Sequence, residues 1–158
     1  MASRFVGSYE HSLDGKGRVI LPARYRSSFD TQAFISKFNE QCLAIWTPEA
    51  FDMQAAEMEQ LMHGSPEERA RARAFSAGST VVDLDRQGRI AVPQYLREFA
   101  GLAEGGTVLV QGVYNHLELW NPPYWQAQES AGDAMIIGVP PGTPAPAPES
   151  PPAGQEGD

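Results

Sequence analysis

The sequence predicts an α+β protein, mainly β, built from two tandem copies of one unit with short helices and followed by a disordered tail. The stretch "LDGKGRVILP" at residues 13–22 returns as "LDRQGRIAVP" at residues 84–93. The similarity extends over residues 8–55 and 79–126, a repeat of about fifty residues, which is the size of one supersecondary unit used twice. Short β-branched runs bounded by glycine and proline recur in both copies and indicate strands.

Each copy begins with a strand, a tight turn, a second strand and a short helix. "SYEHSLD" mixes polar and apolar residues like a half-buried strand, and "RVILP" and "RIAVP" are β-branched runs that end at proline. Pro22 and Pro93 suit the first position of a helix, where no amide donor is needed. Gly101 falls where a left-handed residue ends the second of these helices.

Two further strands and the start of a longer helix complete each copy. "AFISKF" with "CLAIW", and "TVLVQGV" with "HLELW", are predicted to be hairpins. Thr47 and Asn121 then suit the N-cap position, because Pro48 and Pro122 follow them.

Residues 56–78 are predicted to be a helical connector between the copies. Four apolar side chains recur at helical spacing and share one stripe: Phe51, Ala55, Met58 and Met62. Ser65 and Glu68 form the pattern of a capping box that starts a second helix. Three arginines on that helix allow DNA contact, but a solvated face is the stronger interpretation: Arg69, Arg71 and Arg73.

Composition indicates a soluble, cytoplasmic protein with an acidic tail. Residues 130–158 are rich in proline, alanine, glycine and acids, which predicts disorder. The single Cys42 excludes an intramolecular disulfide framework and favours a reducing compartment. The sequence has neither a signal-peptide pattern nor the roughly 20 consecutive apolar residues that a membrane helix needs, so no membrane partner is expected.

Charge is distributed unevenly along the chain. The formal net charge of −8 argues against a nucleic-acid partner, since phosphate binding needs lysine and arginine. However, seven of the 12 basic residues lie in or just after the two copies of the repeated stretch: Lys16, Arg18, Arg24, Arg26, Arg86, Arg89 and Arg97. The copies therefore form local basic regions on an acidic chain.

We call residues 14–18 the first turn and residues 85–89 the second turn. Both hold an aspartate, a glycine and an arginine at the same spacing: Asp14, Gly17 and Arg18, and Asp85, Gly88 and Arg89. The glycines supply the positive φ of a tight turn, and the aspartates can accept hydrogen bonds from turn amides or hold the arginine four positions on. Lys16 and Arg86 add a second base to each turn, although a purely structural ion pair is an open alternative.

The residues do not predict catalysis, a metal site or a nucleotide site. His11, Ser12 and Asp14 contain the ingredients of a triad, but neighbours on a strand point to opposite faces. The three histidines lack metal-ligand spacing, and the glycines around Lys16 lack the helix and Lys-Ser or Lys-Thr of a phosphate loop. We expect no enzyme activity, cofactor, metal or small-molecule substrate.

The repeated segments resemble the MraZ family of bacterial transcriptional regulators, which consist of two SpoVT-AbrB-type units. The resemblance rests on "GSYEHSLDGKGRVILPARYR", "DLDRQGRIAVPQYLREFAGL" and "VLVQGVYNHLELWNPPYW", and covers about residues 4–128. It implies AbrB-like units with swapped or interleaved strands and a ring-shaped homo-oligomer. It also implies binding of double-stranded promoter DNA through the doubled D-x-x-x-R turns, and control of the division and cell-wall gene cluster that includes the protein's own gene.

The resemblance places the DNA contacts on particular residues of both turns. The predicted DNA-binding residues are Lys16 and Arg18 of the first turn, Arg86 and Arg89 of the second, and Arg24, which follows the first copy of the repeated stretch. The predicted loop-structuring residues are Asp14, Gly17, Asp85 and Gly88. Gln87 stands where the first turn has Lys16, so we expect the two turns to differ in their DNA contacts. A DNA-binding protein of this kind would be cytoplasmic and associated with the nucleoid.

Two other functions remain compatible with the sequence. One is a structural or protein-interaction ring whose Asp–Arg pairs are salt bridges between subunits. The other is an antitoxin-like AbrB protein, against which the doubled unit argues. Binding to duplex DNA that weakens steeply as salt rises would distinguish a DNA-binding regulator from the protein-interaction ring.

Overall fold

The computed structural model describes residues 4–138, which contain eight strands, five α-helices and two short 3-10 helices. The strands are β1 (Ser8–Ser12), β2 (Arg18–Ile20), β3 (Gln32–Lys37), β4 (Leu43–Trp46), β5 (Ser79–Asp83), β6 (Arg89–Ala91), β7 (Thr107–Val113) and β8 (His116–Trp120). The helices are α1 (Arg26–Phe29), α2 (Pro48–Leu61), α3 (Pro66–Ala77), α4 (Gln94–Ala100) and α5 (Pro122–Ile137). The chain divides after Trp125 into two units, and every strand belongs to the first of them.

Six strands form one antiparallel sheet in the order β1-β7-β8-β4-β3-β5. The predicted hairpins are confirmed, since β3 pairs with β4 and β7 with β8. Strands also cross between the copies: β1 of the first copy pairs with β7 of the second, and β5 of the second pairs with β3 of the first. The predicted α+β, mainly β fold of two tandem units is therefore confirmed, and their strands interleave.

The remaining two strands form a separate ladder. β2 pairs with β6 in antiparallel register, with Val19 opposite Ile90 at its centre. Each turn therefore connects a strand of the six-stranded sheet to a strand of this ladder, and β1 and β2 do not form a hairpin with each other. The ladder brings the two copies of the repeated stretch together.

One hydrophobic cluster joins the sheet, the ladder and the short helices. It includes the ladder residues Val19 and Ile90 and the sheet residues Ile45 and Leu117, each fully buried. β4 and β8 are buried on both faces, as expected for central strands. Among the buried side chains of the sheet, the indole of Trp46 on β4 donates a hydrogen bond of 2.9 Å to the hydroxyl of Ser36 on β3.

The helix starts follow the sequence closely. Thr47 caps α2 by accepting from the Ala50 amide, and Ser65 and Glu68 form the predicted capping box of α3. The prediction for Pro22 and Pro93 is off by one position. Both prolines have extended backbones and precede their helices, because their ψ angles of 129° and 148° lie outside the helical region.

Helices α2 and α3 pack on β3 and on each other. Phe51 of α2 stacks on Phe34 of β3, with ring centroids 4.2 Å apart, and on Phe75 of α3, at 5.9 Å. A cavity of about 380 Å³ lies between α2 and α3. The predicted apolar stripe lines it, so the stripe faces the partner helix.

The tail prediction needs a correction at its start. α5 runs to Ile137, whereas disorder was predicted from residue 130. Residues 130–137 contain no proline, which allows the helix to continue. The rest of the predicted tail, residues 139–158, lies outside the described residues. No helix within residues 4–138 is both long and apolar enough to cross a membrane.

Candidate nucleic-acid interface

The carboxylate of Asp14 organises the first turn. One oxygen, Oδ1, accepts hydrogen bonds from the Lys16 and Arg18 amides, each at 2.9 Å. The other, Oδ2, accepts from Nε of Arg18 at 2.8 Å. The Gly17 amide donates to the Asp14 carbonyl at 3.0 Å, and Gly17 has the positive φ of 71° that this turn requires.

The second turn repeats this geometry. Oδ1 of Asp85 accepts from the amides of Gln87 and Arg89 at 2.9 Å, and Oδ2 accepts from Nε of Arg89 at 2.7 Å. The Gly88 amide donates to the Asp85 carbonyl, with φ at 78°. The shared phrase in the sequence therefore encodes a shared hydrogen-bonding pattern.

The hydrogen bonds shift the ionisation of both aspartates. The Arg18 amide, assisted by the Lys16 amide and the Arg18 guanidinium, lowers the pKa of Asp14 from 3.8 to about 2. The Arg89 amide and guanidinium lower the pKa of Asp85 below its ordinary value. Both carboxylates are therefore ionised at neutral pH and hold their arginines as ion pairs.

The two turns lie side by side. The Leu21 amide donates to the Gly88 carbonyl and the Val92 amide donates to the Gly17 carbonyl, both at 2.9 Å, so the ladder continues into the turns. Nη1 of Arg89 lies 4.0 Å from Oδ2 of Asp14 in the first turn. The structure thus brings all six Asp, Gly and Arg residues of the two turns into one cluster.

The arginine side chains keep most of their donors free of the aspartates. Each Asp–Arg pair is made through Nε, which is one of the five N–H donors of a guanidinium. Arg18 and Arg89 are 31% and 29% exposed in their side chains. Lys16 and Arg86 are exposed in the same two turns. The cluster therefore combines two orientated guanidinium groups with two solvent-facing bases.

Arg24 lies outside this cluster of contacts. It is exposed in the short 3-10 turn Ala23–Tyr25, and its guanidinium carbon is 5.5 Å from the Tyr25 ring centroid. The nearby hydroxyl groups of Tyr9 and Tyr25 raise the pKa of Arg24. Its contacts in the described part of the chain are thus with tyrosines and not with either turn.

Two arginines that were not predicted as site residues pack beneath the turns. Arg97 lies under Gly17, and Arg26 lies under Gly88. A signal for them was present in the sequence, because both are separated by the same interval as the two turns. That interval marks them as equivalent residues of the two copies.

The fold and the paired turns define a class of small β-rich proteins in which two interleaved copies of one unit present two basic turns on a shared ladder. A model of the MraZ family, described as "MraZ protein, putative antitoxin-like", matches residues 4–74 and 75–135. The chain therefore belongs to the MraZ family.

Curated relatives cover most of this chain. The Transcriptional regulator MraZ of Roseiflexus sp. (strain RS-1) is 39% identical over 130 residues, which is 82% of this chain and 90% of that protein. The protein of the same name from Thermomicrobium roseum is 37% identical over 124 residues, covering 78% and 86%. The solution structure of PHS018 from Pyrococcus horikoshii covers 75% of this chain and all of its own, with 14% identity and a TM-score of 0.32.

Proposed function

We propose that this protein is a transcriptional regulator that binds double-stranded DNA through the first and second turns. The observation that carries the proposal is the pair of neighbouring guanidinium groups, each fixed through Nε by an aspartate of its own turn. The relatives named Transcriptional regulator MraZ support the assignment to transcription.

Holding an arginine through the Nε edge of its guanidinium group leaves the terminal nitrogens available for contact with nucleic acid. A guanidinium that is held through Nε loses less side-chain freedom on binding, while its terminal nitrogens can contact a phosphate or the O6 and N7 atoms of guanine. Lys16 and Arg86 add charge that attracts the phosphate backbone. Because the whole chain has a net charge of −8, attraction depends on this local surface and not on the overall charge.

The proposal extends to assembly and targets. One subunit offers two short turns, and a few phosphate contacts give affinities in the non-specific range of roughly 10⁻⁴ to 10⁻⁶ M. A ring-shaped homo-oligomer that engages several short direct repeats on one promoter would raise avidity by roughly 10² to 10⁴. We place these repeats upstream of the division and cell-wall gene cluster that includes the protein's own gene, with the protein on the nucleoid.

The alternative is a protein-interaction ring in which the Asp–Arg pairs join subunits. In the structure, Asp14 pairs with Arg18 and Asp85 with Arg89 inside one chain. These carboxylates already accept three hydrogen bonds each. Their internal pairing favours the DNA-binding proposal over salt bridges between subunits.

The test compares three variants that each remove one positive charge. Arg18→Gln and Arg89→Gln should weaken binding to DNA from the region upstream of the gene by about 5- to 150-fold, because a specific arginine contact is worth about 1–3 kcal/mol. Arg71→Gln, at an exposed position of α3, is the matched control and should change binding by less than about 2-fold.

Salt dependence and circular dichroism complete the test. Wild-type affinity should fall steeply as salt rises, and the slope should decrease in variants that lose a phosphate contact. Circular dichroism should show all three variants folded. The proposal is wrong if folded Arg18→Gln and Arg89→Gln bind as tightly as Arg71→Gln.

A further inference from the structure

Each turn rests on a guanidinium that comes from the other copy of the repeat. A Cβ atom placed on Gly17 would lie 2.9 Å from Cζ of Arg97, which belongs to α4 of the second copy. A Cβ atom on Gly88 would lie 2.9 Å from Cζ of Arg26, which begins α1 of the first copy. Both distances are below van der Waals contact, so a side chain at either position would force the guanidinium group to move.

The same guanidinium groups also hold the backbone that reaches the turns. Nε of Arg97 donates to the Val92 carbonyl at 3.0 Å, and the Val92 amide donates to the Gly17 carbonyl at 2.9 Å. In the other half, Nε of Arg26 donates to the Leu21 carbonyl at 3.0 Å. The Leu21 amide in turn donates to the Gly88 carbonyl at 2.9 Å.

From this crossed arrangement we infer that Arg97 is a positioning residue for the first turn and Arg26 a positioning residue for the second. Each one supports its turn by packing under the glycine and by a two-step hydrogen-bonded connection to the glycine carbonyl. The order of each turn then depends on the helix of the opposite copy. The consequence for DNA rests on the proposed function, whereas the order of the turns does not.

The two positioning arginines differ in their surroundings. Nη1 of Arg97 pairs with Oε1 of Glu104 at 2.8 Å, and the Arg97 side chain is only 14% exposed. No such acidic partner contacts Arg26 within residues 4–138. Its neighbour is His11, whose pKa is lowered by burial and by the charge of Arg26. Glu104 therefore gives a mild way to disturb the support of the first turn alone.

Hydrogen exchange of the free, full-length protein tests the inference. Arg97→Lys keeps the charge but removes the Nε donor and the planar group, so exchange at the Gly17 and Arg18 amides should accelerate about 2- to 10-fold, the effect of losing one hydrogen bond. Amides of the second turn should be unchanged. Arg26→Lys should give the mirror image, with faster exchange at Gly88 and Arg89 only.

Faster hydrogen exchange only in the turn of the opposite copy distinguishes a positioning role from general stabilisation of the fold. Equal acceleration in both turns, or acceleration in the turn of the same copy, overturns the inference. If Arg97→Lys does not fold, Glu104→Gln decides the question, because Glu104 is exposed and its side chain pairs with Arg97. Faster exchange confined to the first turn supports the inference, and unchanged or uniformly faster exchange overturns it.

DNA binding is a second readout, and together with hydrogen exchange it separates a failure of the positioning role from a failure of the proposed function. If Arg97 acts through the first turn, Arg97→Lys should add little to the loss of affinity caused by Arg18→Gln, but should add substantially more to that of Arg89→Gln in the second turn. Full additivity in both combinations overturns the inference. If exchange is crossed but no turn variant affects DNA binding, the positioning role stands and the proposed function fails.

Discussion

At the scale of single residues, the same few side chains organise the turns and present the bases. Asp14 accepts three hydrogen bonds within five residues of chain, and each comes from the turn itself. Such short-range chemistry is visible in the sequence, so the turn-forming roles of Asp14, Gly17 and Arg18 follow from the repeated residue pattern, whereas the DNA-binding role of Arg18 comes from the family resemblance. Arg26 and Arg97 are not predicted as site residues, because each contacts the turn of the opposite copy. The spacing of residues along the sequence does not reveal which segments of the two copies come into contact.

The lowered pKa of Asp14 predicts an acid-sensitive contribution to stability. Because this pKa is about 2 in the folded protein and 3.8 ordinarily, the ionised carboxylate stabilises the fold above about pH 4. That contribution is lost as pH falls from about 4 towards 2. Denaturant titrations should therefore show Asp14→Asn to be less stable than wild type at pH 6, with the difference shrinking at pH 2.5. A difference of equal size at both pH values would contradict the assignment.

Gly88→Ala should destabilise the protein by more than about 1 kcal/mol, because alanine is strained at a φ of 78° and its Cβ would collide with Arg26. Gly15→Ala is the matched control, since nothing lies within 4 Å of a Cβ at that position of the first turn. Its free energy of unfolding should stay within about 0.5 kcal/mol of wild type. Similar losses in both variants, measured by denaturant titration, would show that the crowding at Gly88 is not decisive.

At the scale of elements, local signals were reliable and long-range pairing was not predictable from the residues. Hairpins and caps depend on neighbours in sequence, and the capping box at Ser65 is present as predicted. The pairing of β1 with β7 joins segments nearly a hundred residues apart, and strand periodicity does not choose such a partner. Interleaving was expected only from the family resemblance. Composition predicts disorder from residue 130, but α5 continues to Ile137 because the proline-rich part of the tail begins only at Pro140.

The capping box predicts a measurable cost for its removal. Ser65→Ala leaves the Glu68 amide without its side-chain acceptor and should lower the free energy of unfolding by about 0.5–2 kcal/mol. Ser76→Ala, at an exposed position inside the same helix, should be neutral or slightly stabilising. If Ser65→Ala proves as harmless as Ser76→Ala, the start of α3 is held by packing and not by its cap.

At the scale of the whole molecule, the ladder makes one surface out of two turns that lie far apart in sequence. The interleaved sheet and the ladder share one hydrophobic cluster, so the spacing of the turns is fixed by the core. Because the spacing of the turns is fixed, the proposed DNA-binding mode also predicts how the sites are spaced along the DNA. Successive subunits can meet the same face of a duplex only if their sites recur about once per helical turn, near 10 to 10.5 bp.

Operator spacing should therefore matter as much as operator sequence. Inserting about 5 bp between two direct repeats turns one repeat to the far side of the duplex, and this should reduce affinity as much as deleting that repeat. Inserting about 10 bp restores the face and serves as the control. Mobility shifts that are insensitive to the 5 bp insertion would show that subunits do not read the repeats together.

Site-specific photocrosslinking tests most directly whether the paired turns are the DNA-binding surface. A photoreactive amino acid is placed at Gly15 in the first turn, at Gln87 in the second turn, or at Ala70 on α3, all exposed and uncharged positions. Irradiation with duplex DNA from the region upstream of the gene should crosslink the protein through positions 15 and 87 and not through position 70. Crosslinking through position 70 alone would place the DNA on the arginines of α3 and contradict the central claim.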